Sequence, residues 1–213
     1  MTHEKLPQGL QDPFKNNGFK SIKQSVSTSL TEIRTGMYGK RRVYPTAWER
    51  LNTNLLGGLQ PGKMYVIAGR PGVSNQLIFD LLDKNKEKPL IVLYWSFEMP
   101  GYQQILRAGA KGANKQLSEL LSVDEKLNKE SYEKYRDEVI KYNKYPIYFN
   151  NVPRDIEFIK NTNVEVTNKY PDTTIVNVFD HSRLILSGKD QELQKLNEVS
   201  KGCMWLQAKI GCI

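Results

Sequence analysis

Four short apolar runs, each followed by a helical pattern, constrain the fold of this chain more than any other feature. They lie at residues 64–68, 90–97, 146–150 and 174–179. None alternates apolar with polar residues, as a strand with one solvent face would. A continuous apolar run suits a strand covered on both faces, which is the condition of a mostly parallel sheet between helices. Between and after the runs, residues 77–85, 102–111, 126–145 and 156–169 carry helical patterns, and 192–209 forms a last one. The alternation predicts an α/β fold with helices on both sides of the sheet. Ligands in such sheets bind beyond the carboxyl ends of the strands.

Composition narrows the class. No apolar stretch approaches the ~18 residues of a membrane span, and Met1-Thr2-His3-Glu4-Lys5 has no apolar core behind it, so a secretory signal is not expected. Cys203 and Cys212 are too few for a disulfide framework and lack metal-ligand spacing. A reducing, cytoplasmic setting is the natural expectation. The net charge of +8 favours a polyanionic partner. Much of it lies early: Lys5, Lys15, Lys20, Lys23, Arg34, Lys40, Arg41 and Arg42 stand against Glu4, Asp12 and Glu32. A nucleic-acid-binding arm and a solubilising tail both fit that imbalance.

Three regions follow. Residues 1–18, rich in Pro, Gly, Asn and Gln, read as a flexible N-terminal segment. Residues 19–43 read as a basic helix and linker. Within it Ile22, Val26, Leu30 and Ile33 form one narrow stripe on an otherwise polar helix, which cannot build a core alone and should dock either on this chain's own domain or on a neighbouring subunit. Residues 44–213 hold the alternating pattern. Gly211 suits a helix C-cap, and Cys212-Ile213 reads as the start of another strand.

The candidate chemistry begins at Gly69-Arg70-Pro71-Gly72-Val73-Ser74-Asn75-Gln76, between the first apolar run and the first helix. That outline matches a phosphate-binding loop, G-x-x-x-x-G-K-[ST], whose backbone N–H groups cradle phosphates. Ser74 replaces the second Gly, Asn75 the Lys and Gln76 the metal-binding hydroxyl. Glu98 closes the second run, where it could polarise a water for attack on phosphate; taken without neighbouring motifs, it reads rather as an ordinary exposed acid. Asp180 closes the fourth run, in the place of an acid that helps hold Mg²⁺ downstream of a phosphate loop. His181 reads as its polar neighbour. Arg107 and Lys111, one turn apart, face either phosphate or solvent.

Three segments together are distinctive: Tyr44-Pro45-Thr46-Ala47-Trp48-Glu49-Arg50-Leu51, Leu56-Gly57-Gly58-Leu59-Gln60-Pro61-Gly62, and Val66 to Gly72. They resemble the opening of the RecA-like motor domain of DnaB-type replicative helicases. Ser96-Phe97-Glu98-Met99 resembles that family's Ser-x-Glu-Met motif, and Asp180-His181-Ser182-Arg183-Leu184-Ile185 its Walker B segment in the phage-type variant. The resemblance implies a RecA-like P-loop NTPase fold, with Glu98 and Asp180 catalytic and residues 69–76 binding nucleotide. It implies ATP and Mg, with Asp180 and, by a different reach, Gln76 at the metal. The basic balance adds single-stranded DNA as an expected partner, with Lys40, Arg41, Arg42, Arg107 and Lys111 the candidate phosphate contacts. A hexameric ring would be joined through the 21–35 helix, with primase a further partner in DNA replication. The family's sensor strand, DNA-binding loop and arginine finger are absent through residue 213, so the motor domain is expected to be incomplete on that side.

Two functions compete. One is the core of an ATP-driven helicase, impaired in hydrolysis by the altered loop. The other is a non-catalytic module that binds single-stranded DNA or a helicase ring. A KaiC-type ATPase shares the Gly-Gly-Leu region but accounts less well for Ser-Phe-Glu-Met.

Overall fold

In the computed structural model every residue of the first strand, β1 (Leu90–Ser96), is buried. The structure describes residues 20–68, 73–123, 127–180, 185–186 and 192–213, so the segment 1–18 lies outside it. The chain divides into two units, residues 1–42 and 43–213.

In the first unit, α1 (Ile22–Met37) starts at a reciprocal cap. The Gln24 N–H donates to Ser21 Oγ at 3.2 Å, and the Ser21 N–H donates to Gln24 Oε1 at 2.7 Å. Two of the orphan amides at the helix start are thereby satisfied. No residue of α1 is buried, and its stripe of Ile22, Val26, Leu30 and Ile33 is exposed.

The second unit is built on a parallel sheet in the order β2-β1-β3, with β2 at Ile147–Asn150 and β3 at Thr174–Asp180. Helices α2 (Glu49–Asn54) and α3 (Val73–Lys84) precede β1. Between β1 and β2 come α4 (Gly101–Gly112), α5 (Leu117–Leu121), α6 (Lys129–Ile140) and a 3-10 turn at Lys141–Lys144. Then α7 (Ile156–Lys169) connects β2 to β3, and α8 (Glu192–Ile210) follows β3. The pleat divides β1 between two cores. Ile91, Leu93 and Trp95 pack with Ile156 and Ile159 of α7 and Val199 and Leu206 of α8. Leu90, Val92 and Tyr94 pack with Ile78, Leu81 and Leu82 of α3. Each such side chain is worth about 1.5–3 kcal/mol when fully buried. This double coverage is why the run shows no alternation.

The first apolar run behaves differently from expectation. Residues 64–68 form no strand, and Met64, Val66 and Ile67 are exposed. A strand needs a neighbour to take its backbone groups. On the outer edge of β3 that place is held by Ile213, whose N–H donates to Ile175 O at 2.9 Å while its carbonyl accepts from the Asn177 N–H at 2.8 Å. No strand of the described residues lies beside 64–68. Tyr65 alone turns inward, packing on the α3-side core and accepting from the Gln60 N–H at 3.0 Å. Elsewhere the expected 126–145 helix is shorter, because it tightens into the 3-10 turn after Ile140. Gly211 does end α8 in the left-handed region, at φ 69°.

The Gly-Gly-Leu segment is explained by a close backbone approach. Tyr44 and Leu59 exchange backbone hydrogen bonds at 2.8 and 2.9 Å, and the buried Tyr44 hydroxyl donates to Thr174 Oγ1 at 2.6 Å. Gly58 passes so near that a Cβ there would sit 2.4 Å from the Tyr44 carbonyl oxygen, and its φ is +138°. Gly58→Ala is expected to lower the free energy of unfolding by about 1–3 kcal/mol. Urea denaturation checks this, with Gly36→Ala, where nothing lies within 4 Å, as the near-neutral control.

Candidate functional site

The carboxyl ends of β1 and β3 lie side by side, with Ser96 in register with Asp180. The Phe97 N–H donates to the Asp180 carbonyl at 3.0 Å, and the chain then turns away from the sheet. The buried Ser96 hydroxyl pins that turn by donating to the Met99 carbonyl, while itself accepting from Gln104 Nε2 at 3.2 Å. The turn carries Glu98 into solvent two residues beyond the sheet. The serine of Ser-Phe-Glu-Met is thus the residue that fixes the turn presenting the acid. Asp180 is half-buried, and its Oδ2 accepts from the Tyr94 hydroxyl at 3.0 Å. Strand pairing therefore brings both candidate acids to one edge, where ligands of parallel sheets bind.

Of the candidate phosphate loop, Gly69, Arg70, Pro71 and Gly72 lie outside the described residues. Val73, Ser74, Asn75 and Gln76 form the first turn of α3. Asn75 is 4% exposed and faces inward, where its Nδ2 donates to the Gln104 carbonyl at 3.0 Å. Its Oδ1 is buried without a partner among the described residues. A continuous polar path runs Asn75–Gln104–Ser96–Met99, joining the head of α3 to the Glu98 turn. The neighbouring Gln76 lies nearer the surface. Its Nε2 donates to Asp80 Oδ1 at 2.6 Å, and its Oε1 accepts from the ammonium of Lys111 on α4.

Arg107 and Lys111 line a cleft of about 500 Å³ between α4 and α5, together with Lys115, Gln116 and Glu119. Lys115 pairs with Glu119 at 3.5 Å. Lys40, Arg41 and Arg42 follow α1 in the other unit and are exposed. His181 lies outside the described residues, and no cluster of three His, Cys, Asp or Glu able to hold a metal is present among those described. The cysteines take no part: burial raises the Cys203 thiol and pushes Cys212 up to about 11, leaving both protonated at neutral pH. Among the described residues no helix is long and apolar enough to cross a membrane.

Sequence reasoning missed Tyr94 and Gln104. Tyr94 sits in the even, inward register of β1 and reads as one more core aromatic until its hydroxyl meets Asp180. The signal for Gln104 was a polar residue on the inner face of α4, in line with buried Gly101.

A family model described as the DnaB-like helicase C terminal domain matches residues 44–210. Two solved structures share the fold with a TM-score of 0.72. One is "The Structure Of A DnaB-Like Replicative Helicase And Its Interactions With Primase", at 15% identity over 92% of this chain and 47% of that one. The other is described as an "ATPase Domain", at 16% identity over 91% of this chain and 69% of that one. The present chain spans about half the length of the first. No curated protein matches.

The burial of Asn75 sets an expectation. A lysine there would have to force an ammonium into a slot that is 4% exposed. Asn75→Lys is expected to cost about 1–3 kcal/mol of stability through the lost hydrogen bond and the desolvated charge. Urea unfolding measures this; an unchanged midpoint would mean that the lysine escapes to solvent.

Proposed function

Since the chain belongs to the DnaB-like helicase C-terminal domain family, we propose that it is the RecA-like core of a replicative-helicase motor whose own ATP hydrolysis is impaired. The inward-facing Asn75 carries this reading. In a working phosphate loop that position supplies a cation to the outer phosphates. Here it supplies a neutral amide that holds α3 to α4. The backbone N–H groups of Gly72 to Gln76 are the groups left to approach phosphate, and position 75 adds no charge to strengthen such contacts.

The other roles follow from placement. Glu98, solvent-facing at the end of β1, is the base that would orient a water. Asp180 is the second acid of the pair. The family implies ATP and magnesium, but the residues here do not fit the metal. Gln76 Oε1, the atom in place of the hydroxyl ligand, accepts from the Lys111 ammonium. A dication would have to displace a lysine from its ligand. No step is therefore assigned to it.

Single-stranded DNA is the proposed polyanion, held through phosphates by Lys40, Arg41, Arg42 and Arg107. Lys111, expected among them, already donates to Gln76 and has a second candidate role. The exposed stripe of α1 supports docking on a neighbouring motor domain in a ring. Primase and a phage setting belong to the same proposal. A non-catalytic reading, as a DNA- or ring-binding module, is favoured by the same Asn75 observation and differs only in whether any turnover remains.

Two measurements test the proposal. ATP turnover by the purified chain should be negligible, and Glu98→Gln should leave it unchanged; clear turnover abolished by that substitution would overturn the impaired reading. Anisotropy with a single-stranded oligonucleotide should show affinity falling with salt. Replacing Lys40, Arg41 and Arg42 by Ala should reduce the log–log salt slope by about 2, at ~0.7 per phosphate contact. An unchanged slope would make the arm merely solubilising.

A further inference from the structure

The misfit to magnesium has its own chemistry. Four groups meet at the head of α3: the helix N-terminus, Gln76, Asp80 and Lys111. Gln76 is oriented from both ends. Asp80, one turn along, takes its amide N–H at 2.6 Å, which turns the carbonyl oxygen outward to α4. Lys111 comes from that helix and donates to the oxygen. A Thr or Ser at position 76 could not span this distance while bonded to Asp80, so the glutamine and the lysine fit each other as a pair. An ammonium carries three N–H donors, and Gln76 accepts one of them.

We propose that the Lys111 ammonium takes the place of the magnesium ion at the head of α3, so that any polyphosphate bound there is held without a divalent cation. The inference rests on the family reading above for the position of the phosphates. Two features make a lysine from α4 able to serve. It lies on the exposed face of that helix, one turn from Arg107, along a cleft open to solvent that Lys115 lines from beyond the helix end. It also replaces, from a different element, the cation lost when Asn75 turned inward. Magnesium then has no role to fill, because its ligand position already accepts from a cation and a second positive charge there would be repelled.

The test is a titration of the full 213-residue chain with ATP, and separately with inorganic tripolyphosphate, in magnesium and in EDTA. Affinity is expected to be weak and no higher in magnesium than in EDTA. Lys111→Ala should lower it about tenfold, the loss of one charge-assisted hydrogen bond, and Lys111→Arg should recover most of it. Unchanged melting temperatures would show that the variants remain folded. A gain of several-fold on adding magnesium, an unaltered affinity in Lys111→Ala, or no binding of either anion in either buffer would each overturn the inference. Absence of binding would leave the impaired-hydrolysis reading standing, whereas magnesium-dependent turnover would overturn both.

Discussion

Burial of β1 on both faces is the constraint from which the rest of the second unit follows. A seven-residue strand with no exposed position must be covered by helices on two sides and paired along two edges. α3 takes one face and α7 with α8 the other, while β2 and β3 take the edges in parallel. Parallel pairing sends every strand end to one side. Hence Ser96 and Glu98 lie at the same end of the sheet as Asp180, although Asp180 comes far later in the sequence. The candidate chemistry is a by-product of the core.

The helix covering the even face of β1 also carries the altered loop, which couples fold to site. Asn75 and Gln76 are adjacent yet serve opposite directions. Asn75 points into the seam between α3 and α4, where its amide meets Gln104. Gln76 points along the surface to Lys111. Both replace groups that would face phosphate with groups that face α4. In energetic terms, each of these helix–helix hydrogen bonds contributes about 0.5–1.5 kcal/mol. A polar path from α3 to the Glu98 turn joins the two parts of the site.

Much of this was legible in the sequence, and the exceptions have physical causes. The runs at 90–97 and 174–179 were readable because two-sided burial leaves no alternation. The helix from Ile156 was readable from its helical pattern, and in the structure Asp155 starts it by accepting from the Phe158 N–H at 2.7 Å. The run at 64–68 was misleading: apolar content marks what a strand needs, not whether a partner edge is present. Within the site, the positions of Glu98 and Asp180 at strand ends could be placed from order alone. What could not be placed was direction. Nothing in the letters Asn75-Gln76 says that one amide is buried and its neighbour is not, since that depends on where α4 crosses. Tyr94 and Gln104 were hidden for the same reason, each being an ordinary core residue until a tertiary contact gives its polar end a partner.

The central claim is that the residue in the place of the phosphate-loop lysine is a structural amide, closed to solvent and to nucleotide. Its side-chain amide protons report this directly. The Asn75 NH₂ signals, identified by their loss in Asn75→Asp, should exchange slowly with solvent. They should also keep their chemical shifts when saturating ATP and magnesium are added. Rapid exchange, or a shift that tracks nucleotide concentration, would mean that Asn75 faces the ligand and would contradict the account.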